Sequence, residues 1–255
     1  MAMAKQERPV SFVLLHGFAQ TPASWDENTR QLQARGHRTY GIDLYKRAGD
    51  SLEALCDYVA DVVGKVAEAD GAPVLVGYSM GGRMVAETVV RHGDLPLGGV
   101  VLESAGLGPT GEVQRAELAE RNAAWAARLR EEGVAAFVDR WEELPLFASQ
   151  QALPDQTRAR IRDGREAHTA DELAESLLAW GAQRQASEVD TLAALLRTQE
   201  RGVPVLYLAG ALDEKYGHVA ARVQAAGLAA QVIEGVGHNV HLESPHQFCE
   251  AIEHL

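Results

Sequence analysis

Six short apolar runs punctuate the chain, at residues 10–15, 39–43, 74–78, 99–103, 203–209 and 230–233, each bounded by turn-forming or charged residues. Runs of this length, rich in Val, Leu and Ile and without strict polar alternation, suit strands buried on both faces. Between most of them the period lengthens to that of a helix. Leu52, Leu55, Cys56, Val59, Val63 and Val66 fall on one face, and Asp50, with Glu53 three residues on, has the spacing of an Asp-type capping box at the helix start. Strand, helix, strand repeated at both ends predicts an α/β fold with a mostly parallel central sheet flanked by helices. From 106 to 200 no convincing strand pattern occurs, and Ala, Leu, Glu and Arg recur at helical spacing. The expectation is a core of residues 1–105 and 201–255 carrying a helical cap of residues 106–200.

Composition bounds what such a fold is used for. A chain of 255 residues with 46% hydrophobic content can bury a large core. A formal charge of -12 argues against nucleic acid or an anionic membrane as partner, because both are held mainly by basic surface. An anionic ligand therefore has to be captured by a local cluster of cations. Cys56 and Cys249 lie far apart on apolar helix faces and read as buried thiols rather than as a disulfide or a metal pair. Residues 1–9 are polar without a signal-peptide apolar core, and no segment approaches the roughly 18 apolar residues of a membrane span. The expectation is a cytoplasmic protein acting as a monomer, without membrane or nucleic acid.

The chemistry concentrates at Gly77-Tyr78-Ser79-Met80-Gly81-Gly82, which follows one apolar run and opens a helical one. This is the G-x-S-x-G elbow, in which a strand turns straight into a helix and the flanking glycines admit the strained backbone that exposes the serine hydroxyl. An alcohol needs an imidazole within hydrogen-bond reach, and the imidazole needs an acid to fix its tautomer. His238, in the loop after the last strand, is the expected base, and Asp213, after the preceding strand, the expected acid. Glu103, at the end of the 99–103 run, is the rival acid. His238 and His241 form H-x-x-H, but a loop setting without a clear third ligand speaks against zinc, and no metal is expected. Near the N-terminus, Leu15-His16-Gly17-Phe18 leaves the first strand so that the Phe18 and Met80 amides can converge as an oxyanion hole, with His16 bracing the turn. The 106–200 stretch adds Trp125, Trp141, Trp180 and eleven arginines, which a lid over an anionic ligand could use; its seventeen acidic residues make most of those arginines ordinary surface partners.

Elbow, H-G turn, acid, histidine and insertion together resemble the alpha/beta-hydrolase superfamily over nearly the whole chain. Within it, the segments Val76 to Arg83, Phe137 to Trp141 running into Leu144-Pro145-Leu146-Phe147-Ala148-Ser149, Tyr207 to Tyr216, and Gly237-His238-Asn239-Val240-His241-Leu242-Glu243-Ser244-Pro245 are similar to the 2-succinyl-6-hydroxy-2,4-cyclohexadiene-1-carboxylate synthases of menaquinone biosynthesis. The lid segment is the most particular of these. The resemblance implies a cofactor-free lyase that eliminates pyruvate from a substrate with three carboxylates. Ser79 would be the base, kept deprotonated by His238 and Asp213, and the Phe18 and Met80 amides would hold the developing oxyanion. It further implies substrate contacts from Tyr78, Arg83, Trp141 and Arg162, and from Arg121 and Arg115 on the first lid helix. Two other classes stay open: a carboxylesterase or carbon–carbon-bond hydrolase with the same triad, and a ligand-binding protein that kept the fold. One departure touches the pocket wall. Where such proteins commonly read Asp-Leu-Pro-Gly-His-Gly, this chain reads Asp43-Leu44-Tyr45-Lys46-Arg47-Ala48-Gly49-Asp50.

Overall fold

Each of the six apolar runs is a strand in the computed structural model, which describes residues 9–255. The strands are β1 (Ser11–Leu15), β2 (Arg38–Ile42), β3 (Val74–Tyr78), β4 (Gly99–Glu103), β5 (Val205–Gly210) and β6 (Ala229–Ile233), with ends within two residues of the sequence pattern. They form one sheet in the order β2-β1-β3-β4-β5-β6, and every adjacent pair is parallel. The period-two rule then sorts the side chains. Val13, Leu15, Leu75, Val100, Leu102 and Tyr207 face one core, and Phe12, Leu14, Val76, Val101 and Leu208 face the other. Both faces are covered, which is why the runs are apolar throughout and not alternating.

Helices α1 (Asp26–Ala34), α2 (Leu52–Asp70) and α3 (Met80–Arg91) connect the first strands. The stripe of α2 is buried as its spacing predicts, from Leu52 through Leu55, Cys56, Val59 and Val63 to Val66, and each large apolar member contributes about 1.5–3 kcal/mol by leaving water. Its start differs from the sequence reading. Ser51, not Asp50, is the N-cap, and its hydroxyl accepts the Ala54 N–H at 3.3 Å. Asp50 is drawn away by Arg47 at 2.6 Å, while its carbonyl accepts the Trp180 indole N–H. The two cysteines are buried and free on opposite faces of the sheet, Cys56 in α2 and Cys249 in the C-terminal helix. Burial pushes the Cys56 thiol up to about 12 and raises Cys249 as well.

Between β4 and β5 the chain is helical: α4 (Glu112–Glu142), broken at Gly133 with φ 81°, then α5 (Asp155–Glu166), α6 (Ala170–Ala179) and α7 (Glu188–Glu200). A 3-10 turn over Pro145–Ala152 joins α4 to α5. α4 packs on α6, whereas α7 packs back on α3 beside the sheet. After β5 come α8 (Glu214–Ala225), β6, and the short α9 (Val240–Glu243) and α10 (Pro245–Ile252). Among the described residues no helix is long and apolar enough to cross a membrane. The expectation of a missing signal peptide falls mostly on residues 1–8, outside the described part of the chain.

Candidate active site

Strand order reverses between β1 and β3, and in a parallel sheet a crevice opens at the carboxyl ends of strands at such a point. Ser79 sits there, between β3 and α3, with φ 50° and ψ -105°. For a residue with a side chain this backbone is unfavourable, and the surroundings hold it: the Ser79 N–H donates to the Glu103 carbonyl at 2.8 Å. Two glycines permit the turn. A Cβ on Gly77 would lie 2.4 Å from the Gly81 carbonyl oxygen, and one on Gly81 would lie 2.3 Å from that of Leu15.

Asp213, following β5, and His238, following β6, reach the same point. The His238 Nδ1–H donates to Asp213 Oδ2 at 2.6 Å, and His238 Nε2 lies 3.1 Å from Ser79 Oγ. Asp213 is fixed in turn, its other oxygen capping α8 by accepting the Tyr216 N–H at 3.2 Å. Both partners are almost wholly out of solvent, at 2% and 3% side-chain exposure, so their hydrogen bond is little weakened by water. Glu103, the rival acid, is engaged elsewhere. Its carboxylate lies 2.8 Å from His241 Nδ1 and also accepts the His241 backbone N–H at 3.0 Å. The two histidines of H-x-x-H thus serve different carboxylates on adjacent strands, and Tyr78 stands between the rings, 5.3 Å from His238 and 4.9 Å from His241.

A cavity of about 510 Å³ lies over Ser79, roofed by the helical insertion. Phe18, Tyr78, Met80, Arg83, Arg121 and Trp141, all expected at the site, line it. Met80 is the first residue of α3, so its N–H has no partner within the helix. His16 braces the opposite turn: its Nδ1–H donates to the Gly17 carbonyl at 2.9 Å while Nε2 accepts the Leu44 N–H at 3.1 Å. Trp141 anchors an aromatic wall, 5.1 Å from Phe18 and 5.4 Å from Phe137.

Five cations line this cavity, Arg83, Arg121, Arg165, Lys215 and Arg222, against one carboxylate, Glu188. Glu188 is already neutralised by Arg222 at 2.9 Å. Arg83 makes no ion pair among the described residues; one N–H donates to the Trp180 carbonyl at 2.8 Å, and desolvation pulls the guanidinium down to about 10, which leaves it charged at neutral pH. A half-buried cation without a counterion is costly unless an anion arrives to pair with it.

The structure does not bring Arg162 or Arg115 to the cavity. Arg162 faces outward on α5 and pairs with Asp139, Glu142 and Glu166 at 2.6, 3.1 and 2.8 Å. Arg165, three residues on, takes the inward position. It is 4% exposed, lies over the Phe147 ring at 4.9 Å, and pairs with Glu142 at 2.8 Å and Gln150 at 3.0 Å. Arg115 instead ties the insertion together, donating to the carbonyls of Gln183 and Gln185 at 2.7 and 2.9 Å. Sequence reasoning missed Arg165, Lys215 and Arg222; Arg165 lies one turn after Arg162 and Lys215 two residues after Asp213, whereas Arg222, nine residues after Asp213, carried no such signal.

A parallel sheet with a Ser-His-Asp constellation at its carboxyl edge defines a hydrolase-type scaffold, whatever reaction it carries out. A sequence model of the Alpha/beta hydrolase family matches residues 12–251, and the chain belongs to that family. Within the family it is 34% identical to the 2-succinyl-6-hydroxy-2,4-cyclohexadiene-1-carboxylate synthase of Escherichia coli O7:K1, over 96% of this chain and 93% of that one. Identity to the synthase of the same name from Serratia proteamaculans is 28%, over 81% and 78% of the two chains. Among solved structures, MenH from S. aureus superposes with a TM-score of 0.84 at 26% identity, covering 98% of this chain and 94% of that one.

Proposed function

We propose that this chain acts as a 2-succinyl-6-hydroxy-2,4-cyclohexadiene-1-carboxylate synthase, eliminating pyruvate from 2-succinyl-5-enolpyruvyl-6-hydroxy-3-cyclohexene-1-carboxylate. The observation that carries the reading is the cavity itself: five cations line it around a triad, and although Arg222 and Arg165 are paired with Glu188 and Glu142, Arg83, Arg121 and Lys215 have no ion pair among the described residues, in a chain of net charge -12. The substrate brings three carboxylates, and arginine is suited to hold them by paired N–H···O bonds. Relatives bearing the synthase's name at 34% and 28% identity support the same choice.

Ser79, with its proton passed to His238 and the imidazolium held by Asp213, takes the ring proton beside the succinyl carbonyl. The electron pair moves through the ring double bond, the carbon–oxygen bond to the enolpyruvyl group breaks, and the departing enol takes up a proton to become pyruvate. Negative charge gathers on the succinyl oxygen, opposite the Phe18 and Met80 amides, which act as its hydrogen-bond donors. Arg83, four residues after Ser79 on α3, holds a substrate carboxylate, with Arg121, Arg165 and Tyr78 beside it and Trp141 against the ring. Residues 106–200 act as the cap on a core of 1–105 and 201–255, with α7 doubling as a core crossover helix. On this reading the protein is a cytoplasmic monomer that needs no cofactor.

Pyruvate release from the enolpyruvyl precursor, followed beside hydrolysis of simple aryl esters, tests the proposal. Saturable pyruvate release that far outruns ester turnover is expected. Fast ester turnover without pyruvate would replace it with a carboxylesterase.

A further inference from the structure

The segment in which this chain departs from Asp-Leu-Pro-Gly-His-Gly is built into the site. Leu44–Arg47 form a single 3-10 turn, and Tyr45 is buried beneath the insertion at 6% exposure. Its hydroxyl oxygen accepts the Ala19 N–H at 3.0 Å. Ala19 follows Phe18 and has φ 52°, one of only three non-glycine residues with positive φ among the described residues. A residue with a Cβ holds that left-handed backbone only where its surroundings impose it. The neighbouring Leu44 N–H donates to His16 Nε2, so the 16–19 turn is tied at both ends to the same segment.

The other side of Tyr45 belongs to the cap. Its ring lies 4.2 Å from His168 and 6.0 Å from Trp180. His168 Nε2 donates to the Gln20 carbonyl at 3.0 Å, and the Trp180 carbonyl is the acceptor for Arg83. Burial raises the phenol's pKa, so it stays a neutral donor and acceptor throughout the working range.

We propose that Tyr45 is a positioning residue: its hydroxyl holds the Ala19 turn that presents the Phe18 amide, and its ring registers the cap against that turn, so that seating the cap and completing the oxyanion site are one event. The role of the Phe18 amide rests on the function proposed above; the hydrogen bond and the packing do not. Replacing the phenol by Phe keeps the packing and removes only the hydroxyl, which leaves the Ala19 N–H buried and unpaired.

Tyr45→Phe is expected to lower kcat for pyruvate release about tenfold, with KM within about twofold of wild type, because the lost interaction supports the transition state and not ground-state capture. Ala19→Gly placed on Tyr45→Phe is expected to recover most of that rate, since glycine adopts φ 52° without being held there. A Tyr45→Phe protein that melts as wild type and turns over within twofold of it overturns the proposal, as does a double variant no faster than the single one. Should the wild-type chain release no pyruvate, the functional reading fails; the same variants assayed on an aryl ester still decide the role of Tyr45, because ester hydrolysis uses the same turn.

Discussion

The sheet and the insertion place the side chains proposed to be functional by different rules. At the sheet each residue sits within a few positions of a strand's carboxyl end, and strand order brings those ends together: Ser79 after β3, Asp213 after β5, His238 after β6. In the insertion a residue's fate depends on which side of a helix meets the core. Arg162 and Arg165 share α5, yet one pairs with Asp139 outside and the other closes the cavity beside Phe147. A loop after a parallel strand has one crevice to enter, whereas a helix offers a full turn of directions and surface acids compete for its cations.

The sheet side of this comparison makes the largest predictions. Ser79→Ala should lower kcat for pyruvate release about 10³-fold or more without changing the melting temperature, since the three groups act as a unit. An active variant would break the claim that the strand ends carry the chemistry. Next, Asp213→Asn should cost kcat about 10³-fold, whereas Glu103→Gln should act mainly on stability, weakening the buried His241 pair by about 1–3 kcal/mol as read by thermal melting. The reverse pattern would make Glu103 the triad's acid.

On the insertion side, Arg165→Ala should reduce kcat/KM about 10- to 100-fold, the worth of one lost charge-assisted hydrogen bond. Arg162→Ala should leave it within about twofold, its surface pairs being of little consequence. Equal effects would show that the inward and outward sides of α5 are not functionally distinct. The smallest effect is expected of Arg115→Ala: unchanged kinetics, with a small fall in melting temperature from loss of its two carbonyl bonds. The thiols give a separate measure of the core. Cys56, held up to about 12, and Cys249 should resist a thiol reagent at pH 8 in the folded protein and both react after unfolding.

Legibility followed the same divide. The apolar runs located every strand among the described residues, and the α2 stripe is buried residue for residue as its spacing requires. The choice of Asp213 over Glu103 was a matter of strand count, and the geometry brings Asp213 to His238. The helix start was misread because Asp50 and Ser51 are both good caps, and only the neighbouring Arg47 and Trp180 show which one is free to serve. Tyr45 was visible as a departure, but its bond to Ala19 joins residues 26 positions apart and leaves no local trace.

By itself the sequence determined what short-range rules control: the six strands, the strained elbow with its glycines, and the order of serine, acid and histidine along the chain. Those follow from side-chain period and backbone sterics, which act over a few residues. Tertiary structure alone decided which arginine turns inward, which carboxylate each histidine receives, and that a tyrosine in a divergent loop ties the 16–19 turn to the cap. Each of these is a competition among chemically equivalent groups, settled by which of them the packed chain brings within about 3 Å.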